Sequence, residues 1–168
     1  SQMKTFNNLA KFAEQLKKTY LLYDNYEATA CGFLGEILEK EAKDKIGHLQ
    51  TDTDGFVPWP DLAASTKKQK EDQGYVFNAD YNPLYRTGEM RDSINHVYRR
   101  ELRKLILGSA SLIMLFQELG TIHIPARSVL AFTMFQAAAV TNYILGAMLR
   151  DWVSGEKLNL RRGVYGSI

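Results

Sequence analysis

The sequence has few of the residues on which metal sites and catalytic sites depend. It contains one cysteine, Cys31, which excludes a disulfide within the chain and fits a reducing cytoplasm. The three histidines, His48, His96 and His123, show no metal-ligand spacing such as H-x-x-x-H. Neither G-x-x-x-x-G-K-[ST] nor G-x-G-x-x-G occurs. We therefore expect no metal, no cofactor and no catalysis.

Strong charge of either sign is also missing. The formal net charge is +2, with 24% charged and 45% apolar residues, which is ordinary for a globular protein and does not favour nucleic acid as a partner. The first residues contain no apolar signal-peptide region. For 168 residues we expect one domain, at 1–154, followed by a glycine-containing flexible tail at 155–168.

Helical periodicity dominates the first part of the chain. Residues 4–23 and 26–46 each carry an apolar face, and Asp24-Asn25 is expected to separate them into a helical hairpin that ends at Gly47. Gly32 and Gly35 then indicate close approach of another backbone. Cys31 is expected to be a buried, inert thiol. The first face consists of Phe6, Leu9, Ala13, Leu16 and Tyr20.

The centre of the chain is less regular. A loop at 48–59 is followed by a short helix from Asp61, its expected cap, to about residue 72, with lysines that are expected to be solvated. The whole segment 48–83 is long for a connection in a compact domain, which indicates a mobile or functional segment. Thr87 can cap another short helix that runs through Ser93.

Alternating residues at 94–100 and the apolar segment 102–108 predict two antiparallel strands, and 75–78 and 122–124 can complete a small sheet. The turn between the two strands gathers four basic side chains. These form either a solvated turn or a phosphate-facing loop, which would bind nucleic acid without sequence preference. The basic residues are Arg99, Arg100, Arg103 and Lys104.

Residues 129–153 predict the longest helix of the second half. No charge occurs at 129–149, which is long enough to cross a bilayer, but polar side chains point in several directions around the helix. We therefore expect a core helix that packs through Ala137, Ala138 and Gly146. The resulting fold class is α+β, with the N-terminal helical hairpin and this long C-terminal helix packed on a small antiparallel sheet.

The stretch 116–130 combines conformational constraints in a short space. Gly120 can take a positive φ and end a helix, and Pro125 fixes its own φ and biases Ile124 to an extended conformation. Arg127 offers a planar five-donor fork for a carboxylate or for carbonyl groups. The stretch therefore predicts a short helix, a rigid crossing and the entry to the long helix.

Three segments of the chain resemble one family in the same order. Glu118-Leu119-Gly120-Thr121 and Ile124-Pro125-Ala126-Arg127 resemble the "EFGT…PARPF" signature of tailed-phage virion morphogenesis proteins, the tail-completion and neck group. The segment 84–94 resembles its "L-x-R-T-G-x-L-R-x-S-I" motif, and 59–70 resembles "W-x-x-L-x-x-x-T-x-x-x-K". The match covers about residues 56–131. Ser128 and Val129 replace the usual Pro-Phe, and Gln117 stands where His is common.

The resemblance implies a structural virion protein of a phage or prophage, located in the neck or the tail-completion ring that joins tail to head. It implies a ring-shaped homo-oligomer, such as a hexamer, that contacts neck, connector or tail-tube proteins and no membrane, with assembly in the host cytoplasm. The basic turn at 99–104 would face the DNA channel; in the alternative it belongs to a nucleic-acid-binding module. The family-motif residues are Trp59, Leu62, Thr66, Arg86, Thr87, Gly88, Arg91, Ser93, Glu118, Gly120, Thr121, Pro125, Ala126 and Arg127.

Several apolar residues fall in the irregular segments 48–83 and 155–168. Because these segments lack regular periodicity, we expect their apolar side chains to be buried only when copies assemble. They are Phe56, Val57, Trp59, Tyr75, Val76, Phe77, Leu158, Leu160, Val164 and Tyr165.

Overall fold

The computed structural model of the protein describes residues 8–51 and 55–160, and it is a mixed helix and sheet structure. The α+β class predicted from the sequence is confirmed. The elements are α1 (Leu9–Lys45), α2 (Ala64–Asp72), α3 (Glu89–Asp92), β1 (Ile94–Arg99), β2 (Lys104–Ser109), α4 (Leu112–Leu119), α5 (Leu130–Gln136) and α6 (Ala138–Ser154).

The predicted N-terminal hairpin is wrong, because α1 continues as one helix of 37 residues through Asp24-Asn25. An Asp or Asn in a helix interior lowers the stability of the helix by less than ~1 kcal/mol relative to alanine, whereas glycine or proline lowers it more. The Asp24 carboxylate is moreover paired with Arg103, at 3.2 Å. Gly47 does follow the end of the helix, with φ +102, as predicted.

The two strands are confirmed, and they form a two-stranded antiparallel sheet. A 3-10 turn at Arg100–Leu102 joins them, and Arg103 takes a left-handed conformation with φ 47°. The additional strands expected at 75–78 and 122–124 are absent from this sheet. Side chains bind their backbone N–H groups instead: Phe77 donates to Asn82 Oδ1 at 2.6 Å and Ile124 to Thr121 Oγ1 at 3.0 Å.

The predicted helix at 129–153 is interrupted at Ala137, which separates α5 from α6. In α5 the Thr133 hydroxyl donates to the Val129 carbonyl at 2.8 Å, a bond that commonly bends helices. Ala138 and Gly146 are exposed, contrary to the packing expectation. Among the described residues no single helix is long and apolar enough to cross a membrane, although α5 and α6 taken together pass by length and composition.

The chain separates into two compact units, and α1 and the strand pair contribute residues to both. The second unit comprises 35–97 and 106–138. Its core is built from α1, the segment before α2, α3, β1, α4 and the start of α5. The fully or nearly buried members of this core are Ala42, Ile46, Trp59, Met90, Ile94, Met114 and Val129.

The described part of the first unit comprises 8–34, 98–105 and 139–160. Trp152 packs edge-on against Tyr23 and donates its indole N–H to the Thr19 carbonyl at 2.6 Å. The buried face of α6 follows helical spacing and includes a carboxylate, which accepts the Asn159 N–H. Its residues are Ile144, Ala147, Met148 and Asp151.

The apolar residues of the irregular segments have mixed environments. Trp59 and Leu160 are buried within the single chain, so the expectation that they wait for assembly is wrong. Phe56 stacks on Phe132 with ring centroids 5.2 Å apart. Val57 and Phe77 are largely exposed. Val164 and Tyr165, like the rest of 161–168, lie outside the described residues.

Candidate assembly site

A groove in the second unit brings the motif segments together. Its volume is about 940 Å³, and its walls come from 61–70, 84–93 and 110–127. Several of the family-motif residues line this groove: Leu62, Thr66, Arg86, Thr87, Gly88, Ser93, Pro125 and Arg127. The remaining motif residues stand beside the lining and support it: Trp59, Arg91, Glu118, Gly120, Thr121 and Ala126.

Arg127 joins the first motif segment to the third. Its Nε donates to the Pro60 carbonyl and its terminal nitrogen to the Asp61 carbonyl, both at 3.0 Å. The side chain is buried, and this burial lowers the pKa of Arg127 while the nearby Asp61 raises it. Trp59 makes a parallel link, because its indole N–H donates to the Ser128 carbonyl at 3.0 Å. These three hydrogen bonds hold 59–61 against the crossing chain.

The turn at 120–126 requires glycine at its first position. Gly120 has φ +74, and a Cβ there would lie 3.0 Å from the Ala126 nitrogen and 3.1 Å from the Ile124 oxygen. Both neighbours are backbone, so neither can move away cheaply. Thr121 closes the turn by donating its N–H to the Ile124 carbonyl at 2.8 Å. The rigid crossing expected at this place therefore has a steric and a hydrogen-bonding cause.

Glu118 caps the helix that follows the crossing. Its carboxylate accepts from the backbone N–H groups of Val129, Leu130 and Ala131 at 2.8–3.0 Å, and from the Ser128 hydroxyl at 2.5 Å. These are the amides that a helix start leaves without intrahelical partners, and the negative charge also suits the positive end of the helix dipole. The sequence analysis identified Glu118 by resemblance but missed this role.

Lys70 is the largest departure from expectation on the groove wall. It was expected to be solvated, but it is 4% exposed, and its ammonium donates to the carbonyls of Tyr81, Asn82 and Tyr85 at 2.6–2.9 Å. Burial and the charge of Arg86 lower the pKa of Lys70 to about 8. The lysine thus anchors α2 to a turn whose residues Tyr81, Asn82 and Leu84 all have positive φ.

The expected cap of α2 is also different. The helix begins at Ala64 without a side-chain cap, and Asp61 instead binds Lys67, with Oδ2 and Nζ 2.7 Å apart. This pairing, with the Leu62 N–H, lowers the pKa of Asp61. Lys67 is therefore not simply solvated. Asp61 binds Arg127 through its carbonyl group and Lys67 through its carboxylate.

The Thr-Gly segment forms the second wall. Gly88 has φ +91 and precedes α3, and Thr87 Oγ1 accepts the Glu89 N–H at 3.5 Å. Ser93 shares a 2.6 Å hydrogen bond with Ser109 on β2. Arg86 donates to Gln69 at 3.0 Å. Arg91 lies over the Tyr85 ring, 5.3 Å from its centroid, and pairs with Asp92.

The polar groups of the groove differ in how they are hydrogen-bonded. Its two buried cations both donate to backbone carbonyls, Lys70 to three and Arg127 to two. Within 8–51 and 55–160, no group of three or more His, Cys, Asp or Glu residues has the arrangement of a metal site. Gln117 lines the groove, and its buried Oε1 has no hydrogen-bond donor among the described residues.

A smaller cleft of about 430 Å³ lies between α1 and α3–β1 of the same unit. Glu39 lines this cleft, and its two oxygens lie 2.6 Å from Lys43 Nζ and 2.6 Å from His96 Nδ1. The Lys43 hydrogen bond, with a smaller effect of His96, lowers the pKa of Glu39. The cluster fastens α1 to β1.

The basic turn at 99–104 belongs to the first unit, and carboxylates meet part of its charge. Arg103 pairs with Glu27 at 2.6 Å and Asp24 at 3.2 Å, and these neighbours raise its pKa. Arg100 donates to the Asp24 carbonyl at 3.4 Å. Arg99 and Lys104 are exposed. The four side chains expected to act together therefore divide between a link to α1 and solvent.

In comparisons with protein-family models, with curated proteins and with solved structures, no match to this chain was found.

Proposed function

We propose that the protein is a structural component of the virion of a tailed phage or prophage, part of the neck or tail-completion ring that joins tail to head. The observation that carries this proposal is the meeting of the three family-like segments around one groove. The first and third segments, separated by dozens of residues, hold one another through Arg127 and Trp59, and Lys70 binds the first segment to the second. Motif residues used in this way can build a binding surface.

The surface chemistry supports assembly as the activity. The groove is lined by apolar, hydroxyl and charged side chains, a composition that suits a segment of another polypeptide. Large apolar side chains remain exposed on α4 and on the first half of α1. Exposed apolar surfaces of this kind often mark sites of contact with other proteins. Copies of the chain itself and neighbouring neck, connector or tail-tube proteins are the partners that this role requires.

The test removes the protein from the assembling virion. In a phage or prophage that encodes it, a null mutation is expected to give filled heads and free tails that do not join, and the wild-type gene is expected to restore joined particles. Fractionation should place the protein in virions. Normal particles in the null strain would contradict the proposal.

A second arm tests nucleic acid. A nucleic-acid-binding module would be favoured by two results together. The purified protein would bind DNA with an affinity that falls steeply as salt rises and is lost with Arg99→Ala and Lys104→Ala. Virions would also be normal in a strain that lacks the protein. Because Arg103 is paired with Glu27 and Asp24, we expect no such binding at physiological ionic strength.

A further inference from the structure

Helix α4 exposes the kind of side chains that a surface helix normally buries. Leu112, Leu115, Phe116 and Leu119 follow the i, i+3, i+4, i+7 spacing of a single face, and each is about half exposed or more. Ile113 and Ile122, which is 93% exposed, extend this face, and Ile113 also lines the groove. The opposite side of the helix is already seated in the core through Met114. We call these six exposed side chains the α4 face.

The α4 face has the size of an interface core. Six large apolar side chains that are about half exposed or more present on the order of 500 Å² of apolar surface. The largest apolar patch on a typical monomeric protein measures about 300–600 Å². A standard interface buries about 800 Å² per partner, of which somewhat more than half is apolar. The α4 face therefore supplies the apolar part that one side of a stable interface needs.

The same chain carries a second exposed apolar face, on the first part of α1. Over 8–22, at the start of α1, every residue is exposed except Gln15 and Thr19, which are half-buried. Leu9, Ala13, Leu16 and Tyr20 lie on one face of this segment. A helix of this length gains little stability alone, because most helical stability in proteins comes from packing an apolar face. We call these four side chains the α1 face.

We propose that the α4 face of one copy binds the α1 face of a second copy. Both faces are exposed, so each is accessible to a second copy. Each presents apolar residues at helical spacing, and two such stripes pack by fitting the ridges of one helix into the grooves of the other. The lysines that flank the α1 face, Lys11, Lys17 and Lys18, are exposed and can stay in solvent when the two faces pair.

Pairing two different faces makes the contact head-to-tail. Each copy then offers one α1 face and one α4 face, so the same contact repeats from copy to copy and closes into a ring when the rotation permits. This inference rests on the proposed function for the ring, and it adds the two surfaces that would form it. It also leaves the groove, which Ile113 connects to the α4 face, open to a further partner.

Matched substitutions test the contact by its concentration dependence. Leu16→Gln and Leu119→Gln each remove one apolar anchor, and Leu102→Gln makes the same change at a leucine exposed to a similar extent outside both faces. By sedimentation or native mass spectrometry, the first two should raise the concentration needed for assembly by about tenfold or more, and the control should not. Unchanged thermal unfolding of all three variants separates lost assembly from lost folding.

Cross-linking tests which faces meet. In a Cys31→Ser background, one preparation carries Leu16→Cys, a second carries Leu119→Cys, and Ser65→Cys serves as an exposed control. A short bismaleimide should join the first two in a mixture and leave each one alone, or mixed with the control, uncross-linked. Cross-links between two Leu119→Cys chains would overturn the head-to-tail pairing.

The outcomes separate the two proposals. Assembly that proceeds normally in Leu16→Gln and Leu119→Gln, without the expected cross-link, overturns the inference and leaves the virion function standing. Virions that are normal without the protein overturn the proposed function. If the α4 variants assemble as rings but fail to enter virions, the α4 face binds another virion protein and the inference is overturned.

Discussion

The imidazole of His96 occupies the space that a side chain at Gly35 would fill. A Cβ built at Gly35 would lie 2.2 Å from Cδ2 of His96 and 2.8 Å from its Cγ. The ring cannot swing away freely, because its Nδ1 is 2.6 Å from the Glu39 carboxylate one turn further along α1. The missing side chain and this hydrogen bond thus set how closely α1 and β1 approach within the second unit.

We predict that Gly35→Ala destabilises the protein by about 1–3 kcal/mol, because the new methyl group must displace the imidazole and lengthen its contact with Glu39. Gly32→Ala is the matched control. Apart from its chain neighbours and the nearby backbone of its own helix, no heavy atom of the described residues lies within 4 Å of a Cβ at Gly32, so the same change should stabilise α1 by up to about 1 kcal/mol. Urea unfolding of the two variants gives both values. Equal effects of the two substitutions would contradict the steric argument.

A second prediction concerns Arg127, whose fork binds two backbone carbonyls at once. Arg127→Lys keeps the charge but cannot reach Pro60 and Asp61 with the same geometry, so it should destabilise by about 1–3 kcal/mol. Arg86→Lys, at an exposed arginine on the same groove wall, should change stability by about 0.5 kcal/mol or less. Thermal and urea unfolding compare them. An Arg127→Lys variant as stable as the wild type would mean that the fork does not hold the crossing.

Two kinds of local signal predicted structure correctly. Gly120 and Pro125 determined the crossing because few other residues fit those backbone conformations. The strand pair was predicted on other grounds, from the alternation at 94–100 and the apolar segment 102–108. The Asp24-Asn25 break failed because these residues only weakly disfavour helix, and Arg103, distant in sequence, binds the Asp24 side chain. A weak local preference was overridden by packing and by a tertiary ion pair.

The features that the sequence did not predict are side chains that bind backbone groups far along the chain. Lys70 satisfies three carbonyls at 81–85, Asn82 Oδ1 accepts the Phe77 N–H, and Glu118 takes the amides that open α5. Lysine, asparagine and glutamate at such spacings are equally common on solvated surfaces. Only the three-dimensional path of the backbone identifies them, so spacing alone could not reveal how the groove walls are built.

A third prediction follows from the Glu118 cap. Glu118→Gln keeps the shape of the side chain but replaces one acceptor oxygen by a donor and removes the charge at the start of α5. We expect a loss of about 1–3 kcal/mol of stability. Glu89→Gln, at an exposed glutamate in the same unit, is the control and should have little effect. Hydrogen exchange should locate the loss at 129–131. Unchanged protection of those amides would exclude the capping role.

The last prediction concerns Lys70 and pH. Lys70→Met removes the donor that three carbonyls share, so at neutral pH it should destabilise by about 1–3 kcal/mol. In the folded protein the pKa of Lys70 is lowered from 10.5 to about 8. Between these two values the unfolded chain holds more protons on this lysine than the folded chain does. The contribution of Lys70 to the free energy of unfolding must therefore rise with pH across that window, and it is constant below about pH 8.

Other titrating groups are shared by both proteins, so the difference between wild type and Lys70→Met isolates this lysine. Urea unfolding of both proteins at several pH values from 7 to 9.5 should show the difference growing above pH 8. A difference that stays constant or shrinks over that range would mean that Lys70 keeps an ordinary pKa in its three-carbonyl site.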